Sequence, residues 1–574
     1  MYRRPSPGQL SFENFYLPFG GKLSGENRWV KLAELIPWES FESEYADQFS
    51  QTMGAPAKPF RVALGTLIIK EKLGISDAET VEQIRENPYL QYFLGFSEYR
   101  ESAPFDASML VHFRQRLNLE LLAQVNDAVV DSVLASEGSP VAMSPESSPP
   151  SDDDEDEPPA PPNQGQLLID ATCAPADIRY PTDLDLLNDA RKASEAILDA
   201  LYAQVMLSLK CKPRTYRQKA RKAYLAIAKK RQPSRKLIRK GIRQQLGYVR
   251  RNLAHIDGLI TLGASLSQLS RRQYRLLLVI HEVFRQQEWM YQQSVRRVDD
   301  RIVSMSQPHV RPMVRGKAGT PVEFGAKLSL SCVRGCVFLE RLSWDAFNES
   351  QHLQHQVEAF RRRFGHYPFS VHADQIYRTR ANRRWCKARG IRLSGPPLGR
   401  PQQDPQVQTQ LKQQACEDEK VRVQIEGKFG QAKRRFGLNR VMAKLADTAA
   451  SAIAITFLVM NLERWLSHFL SFIFGVGLLV LESVMELSGL PWGFARASQR
   501  IWLWPSQMGC LYDLMHGICS IYFLSKPYLY SSCGQVCFWA DAGQPLAITP
   551  ACNLLGPQCS PLQRLEKHYD SFET

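Results

Sequence analysis

Arg422, Glu426 and Lys433 are the residues whose spacing first suggests chemistry. They lie in the stretch Glu419 to Gly437, EKVRVQIEGKFGQAKRRFG. Read as a helix at about 100° per residue, Val421, Ile425, Phe429, Ala432 and Phe436 share one face within roughly 80°. Arg422, Glu426 and Lys433 fall within roughly 40° of each other, just beside that stripe. The helix therefore buries one side and holds a carboxylate between two cations at its border. A salt-bridge ladder of i,i+4 pairs would show the same spacing, so the acids elsewhere in the chain decide between the two readings.

Two more acids sit at comparable places. Leu167-Leu168-Ile169 runs into Asp170, which reads as a strand buried on both faces and ending in an acid. Pro368 to Asp374 reads as a second strand, with Phe369, Val371 and Ala373 to one side and Asp374 at its end. In an open α/β sheet, functional groups collect at the carboxyl ends of strands. Three carboxylates converging there, Asp170, Asp374 and Glu426, need cations between them. Hard oxygen ligands of this kind suit Mg²⁺, with Mn²⁺ as a substitute. Two such ions about 4 Å apart support in-line displacement at phosphorus, which is phosphodiester chemistry. The expectation is geometric: the three carboxylates lie within a few ångströms of each other.

The elements that must position these acids follow in order. Short helices are expected from Phe60 to Gly74, from Ser76 (with Glu79 at capping-box spacing) to Asn87-Pro88, and after Pro104, where Asp106 caps a helix with His112, Arg114 and Arg116 on its polar side. They suit a helix-turn-helix-like DNA-binding unit or a plain helical bundle. Residues 137–166 are rich in Ser, Pro, Asp and Glu and read as a disordered acidic linker. After the first strand comes a long helical region, Asp183 to about Arg301. A hairpin (Val322 to Ser331, Val337 to Leu342), a helix (Glu349 to Phe364), the Asp374 strand, a basic helix (Arg378 to Arg389) and a short strand at Ile391 to Leu393 complete the pattern. Ala446 to Trp465 is an apolar helix expected to pack on the Glu426 helix.

The 574 residues carry a formal net charge of +14. Lys210 to Arg250 contains sixteen Lys or Arg and no acid, whereas Asp152 to Glu157 is a run of six acids. So concentrated a patch points to a polyanion, and Tyr216, Tyr224 and Tyr248 interleaved with the cations fit a phosphate-binding surface. No signal peptide follows the basic start, and the longest apolar run, Phe469 to Leu481, falls short of the ~20 residues that span a bilayer. A cytoplasmic, nucleoid-associated protein with reduced thiols and no membrane role is expected.

The order strand-Asp, hairpin, helix, strand-Asp, helix, strand, helix-Glu matches a ribonuclease H-like fold with a large insertion after the first strand. The opening QLSFENFYLPFGGKLSGENRWVKLAELIPW, the helical segment through Phe113 and Arg114, the pair LLIDAT and VHADQIY, and the Arg422–Glu426–Lys433 spacing resemble the bacterial insertion-sequence DDE transposases with an InsH-type N-terminal domain. The resemblance covers about residues 5–465. It implies an α/β ribonuclease H-like catalytic domain with a mixed sheet, behind an all-α N-terminal domain. It also implies that Asp170, Asp374 and Glu426 bind two Mg²⁺ ions. Arg422 and Lys433 would contact double-stranded DNA near the cleaved end, with Lys317 as a further DNA contact. The activity implied is cutting at terminal inverted repeats and joining 3′-hydroxyl ends to target DNA, within a synaptic complex that is at least a homodimer.

The domain layout expected is an N-terminal DNA-binding domain at 1–136, the linker at 137–166, a catalytic domain at 167–465 split by a basic helical insertion at about 180–315, and a divergent Cys-rich tail at 466–574. In the tail a zinc knuckle of His516, Cys519, Cys533 and Cys537 is conceivable, although the spacing fits no standard pattern. Two other readings stay open: a decayed, non-catalytic transposase that still binds DNA, and a structure-specific nuclease.

Overall fold

The computed structural model describes residues 2, 11–18, 20–50, 53–136, 161–209, 211–314, 322–396 and 404–488. The described residues up to Gly477 form one compact unit. Lys317, the four zinc-knuckle candidates, most of the linker and most of the Cys-rich tail lie outside the described residues.

Among the described residues the chain opens with seven α-helices: α1 (Arg28–Leu35), α2 (Glu42–Ala46), α3 (Phe60–Leu73), α4 (Asp77–Glu86), α5 (Pro88–Phe93), α6 (Met109–Arg116) and α7 (Leu119–Ser136). Their ends follow local chemistry. Gly74 closes α3 in the left-handed conformation at φ 67°. Ser76 accepts the Glu79 amide to start α4. Asn87 ends α4 and, with Pro88 at the first position, starts α5. Asp106 caps the turn leading into α6 as expected, accepting the Ser108 amide at 2.8 Å, and the helix proper begins after Ser108. One expectation changes here. Arg114 is buried rather than solvent-facing, because its guanidinium grips Asp77 of α4 at 2.6 Å.

Among the described residues six strands form one mixed sheet: β1 (Gln166–Pro175), β2 (Arg311–Val314), β3 (Val322–Val333), β4 (Cys336–Ser343), β5 (Ser370–Ala373) and β6 (Arg392–Leu393). The order is β2-β3-β1-β5-β6, with β4 also paired to β3. The β1–β3, β2–β3 and β3–β4 pairs are antiparallel, while β1–β5 and β5–β6 are parallel. Gly325 sits opposite Pro175, where a Cβ would run into the carbonyl of Ala174. This close approach lets β1 and β3 stay paired to the end of β1.

Between β1 and β2 lie α8 (Asp183–Val205), α9 (Arg217–Ala228), α10 (Arg235–Thr261) and α11 (Arg271–Gln293). Thr182, Ser234 and Ser270 cap α8, α10 and α11, the last through a full capping box. Leu246, Val249, Leu253, Ile256 and Leu259 form the buried stripe of α10, within a core made by this insertion alone. The insertion ends earlier than expected, because Arg311–Val314 rejoins the sheet as β2. The expected linker also ends earlier: Asn163 donates to the Arg389 carbonyl, the Gln164 amide to that of Tyr367, and Gln166 already pairs in β1.

After the hairpin come α12 (Leu353–Phe364), α13 (Arg380–Ala388), α14 (Pro405–Arg435) and α15 (Ala446–Ser488). A single core joins the N-terminal helices, the sheet, α12, α14 and α15. The first half of α15 is buried on almost every side, and its polar side chains Ser451, Thr456 and Asn461 each find a partner within the protein. It is long and apolar enough to cross a membrane over Ala446–Phe469, yet 78% of that segment is buried against the rest of the chain. Its partners are mostly not on α14. Ser451 Oγ lies 2.7 Å from the carbonyls of Arg114 and Leu117. Thr456 donates to Glu71 at 2.6 Å, and Asn461 exchanges two hydrogen bonds with the Val337 backbone of β4. It meets the end of α14 through Arg435 and Glu463, 2.5 Å apart. No break occurs at 466, and the helix continues to Ser488.

Candidate active site

The parallel pairing of β1 with β5 builds the site. Leu168 faces His372 and Ile169 faces Ala373, so continuing the register by one residue brings Asp170 beside Asp374. Adjacent strands are about 5 Å apart, which makes these acids neighbours. Asp170 does not end its strand, as the sequence suggested. It lies in the middle of β1, which runs on to Pro175 because β3 continues to pair with it after β5 has stopped. Asp374 does end β5. It is exposed, and it caps the short 3-10 turn Gln375–Tyr377 by accepting the Gln375 amide at 2.6 Å.

Asp170 also feels the charge of Asp374. The Asp170 carboxyl is pushed up to about 6, mainly by burial and further by the charges of Glu349 and Asp374, against a hydrogen bond from the Ala171 amide and the charge of Arg422. Glu349 was not singled out from the sequence. It opens the 3-10 turn before α12, capped by Asn348, and pairs with Lys327 of β3 at 2.8 Å. An acid directly after a hairpin, at the start of a helix that packs on the first strand, was the signal available. Tyr377, fully buried, is the other unforeseen member. Burial and the charges of Glu349, Asp170 and Asp374 hold its phenol neutral well above the usual range.

Helix α14 supplies the cations. Asp404 caps it and Pro405 takes its first position. Ile425, Ala432 and Phe436 are buried as the apolar stripe required. Its register on the sheet is fixed by Asp418, which is buried and binds Arg392 of β6 through two 2.8 Å bonds, with His372 of β5 at 3.7 Å. One and two turns further along the helix come Arg422 and Glu426. Arg422 is largely covered and holds Glu419 at 2.6 Å and Glu426 at 2.9 Å. Its guanidinium is raised above its ordinary range, chiefly by the bond to Glu419. Arg378 donates to the Ala373 carbonyl at 2.9 Å, and Gly395 at φ 101° passes so close to its guanidinium that no side chain fits there. Burial lowers Arg378, while Asp374 and Glu419 raise it.

The expected convergence of all three carboxylates is not what the structure shows. Among the described residues, no three His, Cys, Asp or Glu side chains form a group that could hold a metal ion. Asp170 and Asp374 come together, with Glu349 as the nearby third acid. Glu426 is about half exposed and faces Arg422. The reason is electrostatic: like charges repel, and a guanidinium one turn away on the same helix face offers Glu426 a better partner. Lys433 lies two turns beyond Glu426 and is half-buried.

The fold and site define a mixed α/β protein with acids clustered where its first two parallel strands lie side by side, flanked by the arginines of one long helix. Residues 371–463 match the family model described as the Transposase DDE domain, and residues 18–116 match a transposase domain. Two separate stretches of the chain are thus similar to transposase domains, which indicates an insertion-sequence DDE transposase. The first match includes Asp374 and Glu426 and begins after Asp170. An uncharacterized protein, ORF8 of the nfe locus of Rhizobium meliloti, is 30% identical over 154 residues, which is 27% of this chain and 64% of that protein. The chain thus spans somewhat under two thirds of the relative's length. No solved structure matches.

Proposed function

We propose that this protein cuts DNA at the terminal inverted repeats of its element and joins the resulting 3′-hydroxyl ends to target DNA, using Asp170, Asp374 and Glu426. The observation that carries the reading is the β1–β5 register, which ends at Ile169 opposite Ala373 and so sets Asp170 and Asp374 next to each other just beyond it, with Asp170 pushed up to about 6 by burial and by the charges of Glu349 and Asp374. A carboxyl so placed is stabilised by a cation, and the donors are all hard oxygens, so the residues fit Mg²⁺ or Mn²⁺. Asp170 and Asp374 would hold the metal, with Glu426 as the third ligand once its carboxylate leaves Arg422. When bound, two such ions supply a nucleophile and stabilise the leaving oxygen at phosphorus.

The chain's own groups do the rest. Arg422 and Lys433 bind DNA phosphates next to the acids. A phosphate that takes Arg422 frees Glu426 to turn toward the aspartates. Arg378 holds the Ala373 carbonyl and so fixes the turn that presents Asp374. Buried Tyr377 excludes water beneath the acids. The strand order, with a hairpin on one side of β1 and two parallel strands on the other, supports a ribonuclease H-like catalytic domain. Synapsis of two element ends makes the active species at least a homodimer on DNA, in the nucleoid.

The test is to incubate the protein with a labelled repeat end and Mg²⁺ or Mn²⁺, beside an Asp374→Ala control. Metal-dependent nicking and strand transfer by the wild type alone is expected. Equal product from both proteins, or none from either, would sink the catalytic reading and leave a DNA-binding protein.

A further inference from the structure

The insertion carries a second concentration of charge that the active site does not use. A cleft of about 910 Å³ opens between the start of α8, the turn from α9 to α10 and the end of α11. Lys230, Arg235, Arg239 and Arg296 line it. The cleft's acids are already engaged: Asp183 accepts from Arg301 at 2.5 Å and Gln287 at 2.8 Å, and Asp185 accepts from the Tyr224 hydroxyl at 2.6 Å. Lys230 and Arg235 are exposed and have no carboxylate within ion-pair distance among the described residues.

The charge continues out of the cleft along α10. Arg235, Lys236, Arg239, Lys240, Arg243 and Arg250 fall within roughly 140° around that helix, and all six are exposed. Of these, Arg250 alone pairs with an acid among the described residues, Glu288. Guanidiniums at this surface are held in place by aromatic rings, with Arg239 4.6 Å above Tyr291 and Arg251 4.7 Å above Tyr216. Like charges packed so closely oppose folding unless a polyanion neutralises them. The 27 residues of α10 extend about 40 Å, a little over one turn of duplex DNA at ~34–36 Å.

We infer that the insertion is a second DNA-contact surface, which grips the phosphate backbone of duplex DNA in this cleft and along α10 without reading bases. The inference rests on the proposed action on DNA and adds a site distant in sequence from the acids. Phosphate contact is favoured over a membrane surface because the exposed face of α10 pairs its cations with no large apolar anchor.

The experiment uses the full chain and no divalent metal. Binding of a 40-base-pair duplex of arbitrary sequence is followed by anisotropy between 50 and 200 mM salt. A variant with Lys230→Ala, Arg235→Ala and Lys236→Ala should lose about 0.9 from the slope of log K against log[salt] for each contact removed, so roughly 2–3 in all. Its three side chains are exposed, so the fold should persist. A Lys230→Arg, Arg235→Lys, Lys236→Arg variant, which conserves charge, should keep the wild-type slope. Equal slopes for the wild type and the alanine variant would overturn the inference. So would a loss of binding confined to phosphatidylglycerol vesicles. A wild-type protein that binds this way yet never cuts would sink the catalytic proposal and leave this surface standing.

Discussion

A single residue, Arg422, decides how the acids of this site are arranged. It sits one turn from Glu426 and one turn from Asp418, and its charge also reaches Asp170. Sequence spacing placed it beside Glu426, and that placement holds. Spacing fitted both a salt bridge and a metal site for Glu426; in the structure Arg422 holds Glu426 at 2.9 Å, while Asp170 feels the charges of Glu349 and Asp374. The proposed metal site makes a prediction that needs no turnover. Mg²⁺ should raise the melting temperature of the wild type, by up to about 2.7 kcal/mol of stabilisation at a hundredfold excess over Kd. Asp170→Asn and Asp374→Asn should each abolish most of the shift in a thermal melt. An unchanged shift in both variants would place the metal elsewhere. Glu71 offers a residue-scale prediction in the core. Its carboxyl is raised to about 7, mainly by burial, although Thr456 donates to it. The unfolded value is near 4.3, so the folded state keeps the proton longer. Its contribution to stability is complete below about pH 4 and is lost as pH rises through 7. Between pH 6 and 8 the fold should weaken by roughly 1 kcal/mol, and Glu71→Gln should flatten that slope in denaturant titrations.

Among the elements, α14 connects fold to chemistry. Its apolar stripe was legible from period alone, because Ile425, Ala432 and Phe436 recur at helical spacing. Its register on the sheet was not, because the anchor is a long-range pair between Asp418 and Arg392. Asp418→Ala should therefore cost roughly 2–3 kcal/mol through the lost charge-assisted bonds and should slow metal-dependent cleavage as well. Melts and cleavage assays on the same preparation test both halves, and full cleavage by a destabilised variant would show that register is set elsewhere. The same limit explains β1. Three apolar residues before Asp170 looked like a strand about to end, but pairing with β3 carries it five residues further, to Pro175. Local pattern marks where a strand starts, and its partners decide where it stops.

Among the described residues, two large hydrophobic cores matter more than the linear domain plan. One joins the N-terminal helices to the sheet through α15, and the other belongs to the insertion. The N-terminal helices and the sheet are thus expected to unfold together, with the insertion as a separate unit. Hydrogen exchange should show matched protection in α3, α7, β1 and α15 and a different level in α8 and α10. Independent opening of α3 and β1 would contradict the shared core. The sequence suggested a boundary at 136 because a Pro- and acid-rich stretch follows. Asn126 and Asn461 meet at 2.8 Å beside Val337 of β4, and no composition reveals a contact between residues so far apart in the chain.

By itself the sequence determined the element order, the basic insertion and the adjacency of acids to strands. Each of these rests on short-range physics: hydrophobic period, capping and charge density. The tertiary structure decided which carboxylates meet, where β1 ends, and that α15 sits chiefly among the N-terminal helices and β4. These depend on register and on pairs of buried polar groups distant in sequence, which are settled only when the whole core packs. For the stretch from Glu419 to Gly437, the helix and the i,i+4 pairing of Arg422 with Glu426 follow from local spacing, and the acids that surround Asp170 were set by how the strands pair.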